Sequence, residues 1–186
     1  LLDSSEGKPT SPSLVERITA YETQVAPEHV PTTHDRWVLV SNLQKSIRRG
    51  LTETAVGTAT KLMAVDPRYF WRRLLVIAYE DVGYGDIYRC HDLLKTFRRE
   101  ALQRDLGPER VAQFFAHELA TARKSRSLCD ALAMLEFSVK REQHERQCFA
   151  LTENQLVALV GNAKQPVIDR VAALRHICGY GVFANG

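Results

Sequence analysis

One predicted helix constrains the fold of this chain more than any other segment, because it carries several charges within a largely apolar stretch. Asp66-Pro67 predicts its start, with an N-cap residue followed by proline at the first helical position. From there to about residue 82, apolar side chains are distributed nearly all round the helix. Because buried charges are costly unless they meet partners, this helix is expected to lie centrally and to pair its charges internally.

Further helix signals extend over most of the chain. Capping boxes begin at Ser13 and Thr152, and Gly50 is a suitable left-handed stop for a helix over about 35–49. The pattern also predicts one helix over about 86–106 and one long helix over about 127–147. No window alternates apolar and polar residues for long enough to demand a strand. The predicted fold class is therefore all-α, a compact multi-helix domain of about eight helices.

Composition indicates a soluble globular protein with reduced thiols. The chain has 186 residues and 45% apolar content, and no apolar run approaches the roughly 18 residues of a membrane span. None of the four cysteines has the C-x-x-C spacing, so free thiols and a cytoplasmic location are expected. His144 and Cys148 could share a helix face, but zinc needs two further ligands and none is near in sequence.

The motifs that would indicate an enzyme are missing from the sequence. It contains no G-x-x-x-x-G-K followed by Ser or Thr, no G-x-S-x-G and no H-E-x-x-H. Glu80 and Asp81 are adjacent, so on a helix they point about 100° apart and make a poor acid–base pair. Together with Asp86 they would be the only candidate ligands for a nuclease metal. We therefore expect no enzymatic activity, no cofactor and no bound metal.

The charges of two helices predict an internal polar network. Arg73 and Glu80 are seven residues apart, on one face of a continuous α-helix, and Asp81 lies near its C-terminus, where the helix dipole disfavours an anion. Lys45 or Arg48, from the preceding helical segment, could supply the cation that Asp81 needs. The alternative is that the arginines of these helices face outwards, towards phosphates.

A second set of basic residues is available for a partner. Residues 35–126 contain 17 Lys and Arg against 11 Asp and Glu, whereas the whole chain has a net charge of only +3. Such an excess suits nucleic acid, although it is also ordinary for a solvated helical surface. The candidates for phosphate or partner contacts are the basic residues that the internal network does not need: Arg49, Arg72, Arg123, Lys124 and Arg126.

The large aromatic residues at helical spacing are expected to be core, or an oligomer interface, rather than platforms for stacked bases. They are Trp37, Phe70, Trp71, Phe114 and Phe115.

Three segments together resemble one known family. Residues 42–48 read N-L-Q-K-S-I-R, residues 66–81 read D-P-R-Y-F-W-R-R-L-L-V-I-A-Y-E-D, and residues 119–125 read L-A-T-A-R-K-S. They resemble, in the same order, three motifs of the replication-associated recombination ATPases RarA (MgsA). The first motif is S-A-L-x-K-S-I-R, the second runs from D-P-x-Y through A-R-R-L to A-S-E-D, and the third is L-A-x-A-P-K-S-N. These are relatives of clamp loaders. The resemblance covers the region behind the ATPase core and lacks that core.

The resemblance implies an all-helical oligomerisation domain that works at stalled replication forks, near single-strand DNA-binding protein. The similar region is about 35–132, preceded by a flexible leader (1–12) and an N-terminal helix and loop (13–34), and followed by a divergent helical extension packed on it (133–186). Departures occur at 49–51, where the family has G-S-D. Such departures, together with a last stretch of about 50 residues that does not resemble the family, favour a stand-alone protein over a fragment of a larger ATPase.

Two functions remain open at this point. The first is a non-enzymatic DNA replication or recombination accessory that self-associates and contacts DNA, independently of sequence, or a replication protein. The second is a phage or mobile-element inhibitor or decoy that binds a host DNA-processing enzyme. They differ in their partner, which the sequence does not identify.

Overall fold

The computed structural model describes residues 12–23 and 30–177, which contain eleven α-helices and no strand. The all-helical prediction is therefore confirmed, and the predicted count of about eight helices is too low. Most of the predicted leader, part of the loop after the first helix, and Cys178 lie outside the described residues. No helix in the described part combines the length and the apolar character that crossing a bilayer requires.

Two predicted helices are each divided in the structure, which explains the higher count. The expected helix over 86–106 stops at Phe97 and restarts at Glu100. At this break the Thr96 carbonyl accepts two bonds, from the Arg99 amide at 3.0 Å and from Gln103 Nε2 at 2.9 Å. The expected helix over 127–147 is likewise interrupted between 136 and 141.

Seven helices and the segments joining them form a first compact unit of residues 12–23, 30–78 and 86–123. They are α1 (Leu14–Ala20), α2 (Arg36–Arg49), α3 (Thr52–Val65), α4 (Pro67–Ile77), α5 (Ile87–Phe97), α6 (Glu100–Leu106) and α7 (Pro108–Thr121).

Helix α3 lies at the centre of the first unit, packed against both α2 and α7. Its residues 55–59 are all buried, so this stretch is covered all round. Ala55, Gly57 and Ala59 are small, which lets neighbouring helices approach closely. The expectation that the helix starting at Pro67 lies centrally is wrong, since α3 has that position. That helix, α4, buries one face and exposes Arg68 and Arg72.

Four helices and a short preceding segment form a second compact unit of residues 79–85 and 124–177. The helices are α8 (Ser127–Glu136), α9 (Arg141–Phe149), α10 (Glu153–Gly161) and α11 (Val167–Ile177). Helix α11 packs against the other three, and the core includes Leu135, Cys148 and Leu156. The two units do not follow the ranges predicted from sequence similarity, so those ranges stay predictions.

The helix that starts at Pro67 does not continue regularly to residue 82. It is α-helical only to Ile77, and Ala78–Val82 form a wider π-helical turn, followed by a 3₁₀ turn, Gly83–Gly85. Gly83 has a φ of 46°, and a Cβ added there would lie 3.0 Å from Leu128 Cδ1. Glycine is thus required for both backbone conformation and packing, and it ends the helix. π turns are frequent at functional sites.

The predicted helix ends were the most accurate part of the sequence reading. Both capping boxes, at Ser13 and Thr152, are present with reciprocal hydrogen bonds. Asp66 and Asp86 each cap a helix, through bonds from the amides of Tyr69 and Arg89. Such caps depend only on neighbouring residues, which is why the sequence reveals them.

Gly50 gives a test of the α2–α3 junction. Its φ is 71°, and it closes α2 with a Schellman pattern in which the amide of Leu51 donates to the carbonyl of Ser46 at 2.9 Å. We expect Gly50→Ala to lower the free energy of unfolding by about 1 kcal/mol, because a Cβ disfavours the left-handed conformation. Urea denaturation followed by circular dichroism measures the change.

Gly161→Ala is the control for Gly50→Ala, since Gly161 lies in α10 and a Cβ there meets nothing within 4 Å. It should leave stability unchanged or raise it slightly. Equal behaviour of the two variants would contradict the role given to Gly50.

Candidate nucleic-acid and partner interface

The residues of the predicted internal network lie in very different environments. Lys45 and Arg48 occupy exposed positions on α2, Arg73 and Glu80 are half-buried, and Asp81 is fully buried. The expected pairing of Arg73 with Glu80 assumed a continuous α-helix between them. The α-helix ends at Ile77, and Glu80 lies in the π-helical turn that follows. The network therefore stays a prediction.

Arg48, Glu80 and Asp81 each take part in a polar or electrostatic interaction. The Nε of Arg73 is buried and has no hydrogen-bond partner among the described residues.

The π turn and the segment before α8 are connected within the second unit. The amide of Ser125 donates to the carbonyl of Asp81 at 3.1 Å. The pKa of Arg126 is raised, first by its hydrogen bond to the Cys129 sulfur, with smaller contributions from the negative charges of Asp130 and Asp81. Asp81 was predicted to belong to the internal network and Arg126 to contact phosphate. In the structure the two side chains interact electrostatically.

The predicted phosphate contacts are largely accessible. Arg49, Arg72, Arg123 and Arg126 are exposed, and Lys124 is half-buried. Three of the five belong to the non-helical segment between α7 and α8, where the backbone leaves helical geometry after Thr121. Four exposed guanidinium groups can bind phosphate oxygens without first being released from a buried site.

Of the two alternatives predicted for the aromatic residues, core is confirmed for four, and for Trp37 only an oligomer interface stays a prediction. Phe70, Trp71, Phe114 and Phe115 are buried, as expected for core. Trp37 is 63% exposed and does not belong to the core. Its position explains this difference, because Trp37 lies in the first turn of α2, ahead of the buried residues Leu39 and Val40.

A charge cluster that the sequence did not predict joins α1, α5 and α7 in the described part of the first unit. Glu118 on α7 receives both Arg17, at 3.5 Å, and Arg89, at 3.3 Å. Arg17 also pairs with Asp92, and Arg89 pairs with Asp86 at 3.2 Å. All these side chains are at most about one-third exposed.

Further contacts hold the Glu118 cluster in place. Arg89 Nη1 donates to the Glu118 carbonyl at 2.6 Å and to Thr121 Oγ1 at 2.9 Å, at the C-terminal end of α7, where a cation complements the helix dipole. Burial raises the pKa of Tyr21, and the negative charge of Glu118 raises it further. The sequence signal was available: Glu118 directly precedes buried Leu119 on the largely apolar helix α7.

A Cys–His–Asp arrangement in the second unit has the wrong chemistry for a nucleophile. His144 Nδ1 lies 2.5 Å from Asp169 Oδ1, and Cys148 is four residues after His144 on α9. Burial raises the pKa of the Cys148 thiol, and the charges of Asp169 and Glu145 raise it further. A reactive cysteine needs a lowered pKa, so Cys148 acts as a core residue.

Within the described residues, no group of His, Cys, Asp and Glu is arranged to hold a metal ion. No protein-family profile matches the chain, and no curated protein matches it at a significant level. The resemblance to the RarA family and the roles carried over from it therefore stay predictions.

The Glu118 cluster predicts a loss of stability on mutation. Glu118→Gln leaves Arg17 and Arg89 without their shared carboxylate, and we expect the free energy of unfolding to fall by roughly 1–3 kcal/mol, since the site is partly solvated. Glu142→Gln is the matched control, because its pair with Arg146 is almost fully exposed. The control should change stability by less than about 0.5 kcal/mol. Similar thermal unfolding of both variants would contradict a structural role for Glu118.

The buried Asp81 predicts a structural rather than catalytic phenotype. Asp81→Ala should destabilise the protein by roughly 3–5 kcal/mol, because Asp81 is buried and engaged in an interaction, and its loss leaves the interacting group uncompensated. Asp130→Ala, at an exposed position of α8, is the control and should melt close to the wild type. If Asp81→Ala also melts like the wild type, the carboxylate has no structural role and the alternative of a metal site at Glu80 and Asp81 returns.

Proposed function

We propose that this protein is a non-enzymatic accessory of DNA replication or recombination, which acts in the cytoplasm through self-association and through contact with DNA or a replication protein. Contact with DNA is sequence-independent and is made to phosphates. Single-strand DNA-binding protein is the replication protein that the family resemblance implies. The observation that carries the proposal is the exposure of Arg49, Arg72, Arg123 and Arg126 on a part of the chain with a basic excess.

Charge distribution supports phosphates as the target. The acidic residues near the Glu118 cluster are already engaged with Arg17 and Arg89, so their charges are largely compensated within the protein. The exposed arginines named above therefore contribute positive potential towards solvent. Phosphate contacts give affinity without reading sequence, and neither unit presents a recognised groove-reading motif.

Two further observations support the cellular context. Cys90, Cys129 and Cys148 are free thiols, as is usual for proteins of a reducing compartment. The resemblance of residues 42–81 to the RarA oligomerisation region supports self-association. Exposed apolar residues of the first unit, Val38 and Leu51 on or beside α2, offer surface for such contacts.

One observation favours the second candidate, an inhibitor or decoy of a host DNA-processing enzyme. Met134, Phe137 and Val139 are all strongly exposed around the connection from α8 to α9. Contiguous exposed apolar residues of this kind often mark protein-binding sites. An open trough lined by residues of α9 and its flanks, including Val139 and Lys140, adjoins this connection.

Salt-dependent DNA binding tests the first proposal. We expect the purified protein to bind labelled duplex DNA at low salt, with a log–log slope of about −0.9 per phosphate contacted, because each contact releases counterions. The double variant Arg123→Glu/Lys124→Glu should bind more weakly and lower the magnitude of the slope, while its melting temperature stays close to the wild type. Fluorescence anisotropy at several salt concentrations measures both effects.

The double variant Lys140→Glu/Arg146→Glu is the matched control, since it reverses two exposed charges of the second unit that are not proposed contacts. It changes the net charge equally but should weaken binding less. Equal effects of the two variants would show that only net charge matters. If neither single- nor double-stranded DNA binds at low salt, the DNA proposal fails and the protein-binding candidate becomes the leading one.

A further inference from the structure

An exposed aromatic–guanidinium cluster occupies the N-terminal ends of α2 and α4 in the first unit. The Arg36 guanidinium carbon lies 5.5 Å from the ring centroid of Trp37 and 5.1 Å from that of Tyr69. The two rings meet edge to face, with centroids 5.7 Å apart. Arg36 also pairs with Asp66, the N-cap of α4, at 3.2 Å. The Trp37 ring is thus held by a stacked cation and a second ring while remaining largely exposed.

Exposing the Trp37 indole to water is energetically unfavourable. Tryptophan is the largest apolar side chain, and Trp37 lies in the first turn of α2, where it adds nothing to the buried face. The pair of Arg36 with Asp66 also joins α2 to α4, so Trp37 is not the sole contact between these two helix ends. An indole that is orientated by its neighbours and open to solvent has the properties of a stacking surface, because a planar π face is presented with little further loss of rotamer entropy.

The charges beside Trp37 suit a polyanion. Arg68 and Arg72 are exposed and four residues apart on α4, so they project from one side of that helix next to Tyr69. The acidic neighbours already have partners, since the Asp35 carboxylate accepts from the Trp37 amide and the Asp66 carboxylate from the Tyr69 amide. His34 is also exposed.

We infer that Trp37 is a base-stacking residue for single-stranded nucleic acid, with the phosphates on either side of the stacked base held by Arg36, Arg68 and Arg72. The inference rests on the proposed DNA-binding function and specifies its ligand. Bases in a duplex are already paired and stacked, so an exposed indole stacks more readily on unpaired bases. The interaction is indifferent to sequence, because every base has a π face.

Two readouts test the stacking. Anisotropy of a labelled oligothymidylate of about 16 nucleotides gives the affinity for single strands, and a labelled duplex gives the comparison. Tryptophan fluorescence reports the contact directly, since Trp71, the other tryptophan, is only 7% exposed. We expect oligothymidylate to quench the fluorescence of the wild type, and Trp37→Ala to lose most of this quenching.

Affinity should change in a matching pattern. Trp37→Ala should bind oligothymidylate about tenfold more weakly, whereas Trp37→Phe should retain most of the affinity because it keeps a ring. Duplex binding should hardly change in either variant. Phe137→Ala is the control, since Phe137 is an exposed aromatic residue (87%) of the second unit without a stacked arginine among the described residues. Circular dichroism confirms that each variant is folded.

Three results overturn the inference. In the first, Trp37→Ala binds single strands as tightly as the wild type, while duplex and single-strand binding are both present and salt-dependent. This result removes the stacking role but leaves the proposed function in place. A loss of self-association in Trp37→Ala, measured by light scattering with single-strand affinity unchanged, assigns the cluster to a contact between copies of the chain. Absence of any nucleic-acid binding by the wild type at low salt overturns the proposed function together with the inference.

Discussion

The all-round burial of α3 is the constraint on which the first unit depends. Residues 55–59 have no solvent-facing side, because α2 and α7 both pack on α3 and α4 also contacts this helix. Polar side chains in this core find partners across those interfaces: Asn42 donates to Thr58 Oγ1 at 2.8 Å, and Gln113 to Thr60 Oγ1 at 2.9 Å. These bonds add directional specificity to a contact that small apolar residues alone would leave free to slide.

Two kinds of charge can then be distinguished by their partners. The cations of the Glu118 cluster, Arg17 and Arg89, are satisfied by carboxylates within the first unit and serve to tie α1 and α5 to α7. Arg49, at the end of α2, and Arg123, between α7 and α8, are instead exposed to solvent. Only the second kind contributes freely to an external potential, and the proposed binding of phosphates depends on it.

Interactions between residues close in sequence could be predicted, whereas contacts between distant residues could not. The caps at Ser13, Asp66 and Thr152 were predictable because each involves residues no more than three positions apart. The break in the predicted 86–106 helix was not predicted, and the Gln103 side chain bonds back across it to Thr96, a contact over seven residues that propensities do not encode. Of the candidate phosphate residues, exposure was anticipated correctly for four, whereas the exposed position of Trp37 was not.

The sequence by itself determined the helical class, most helix termini, the basic excess and the glycine stop after α2, because periodicity, capping and composition act locally. Only the tertiary structure decided which helix is buried all round, where α4 gives way to a π turn at Ala78, and which charges meet. Glu118, Arg17 and Arg89 are brought together from three helices, and Trp37 meets Tyr69 across a separation of 32 residues. Such contacts depend on how helices pack, and packing is set by the whole core rather than by any one segment.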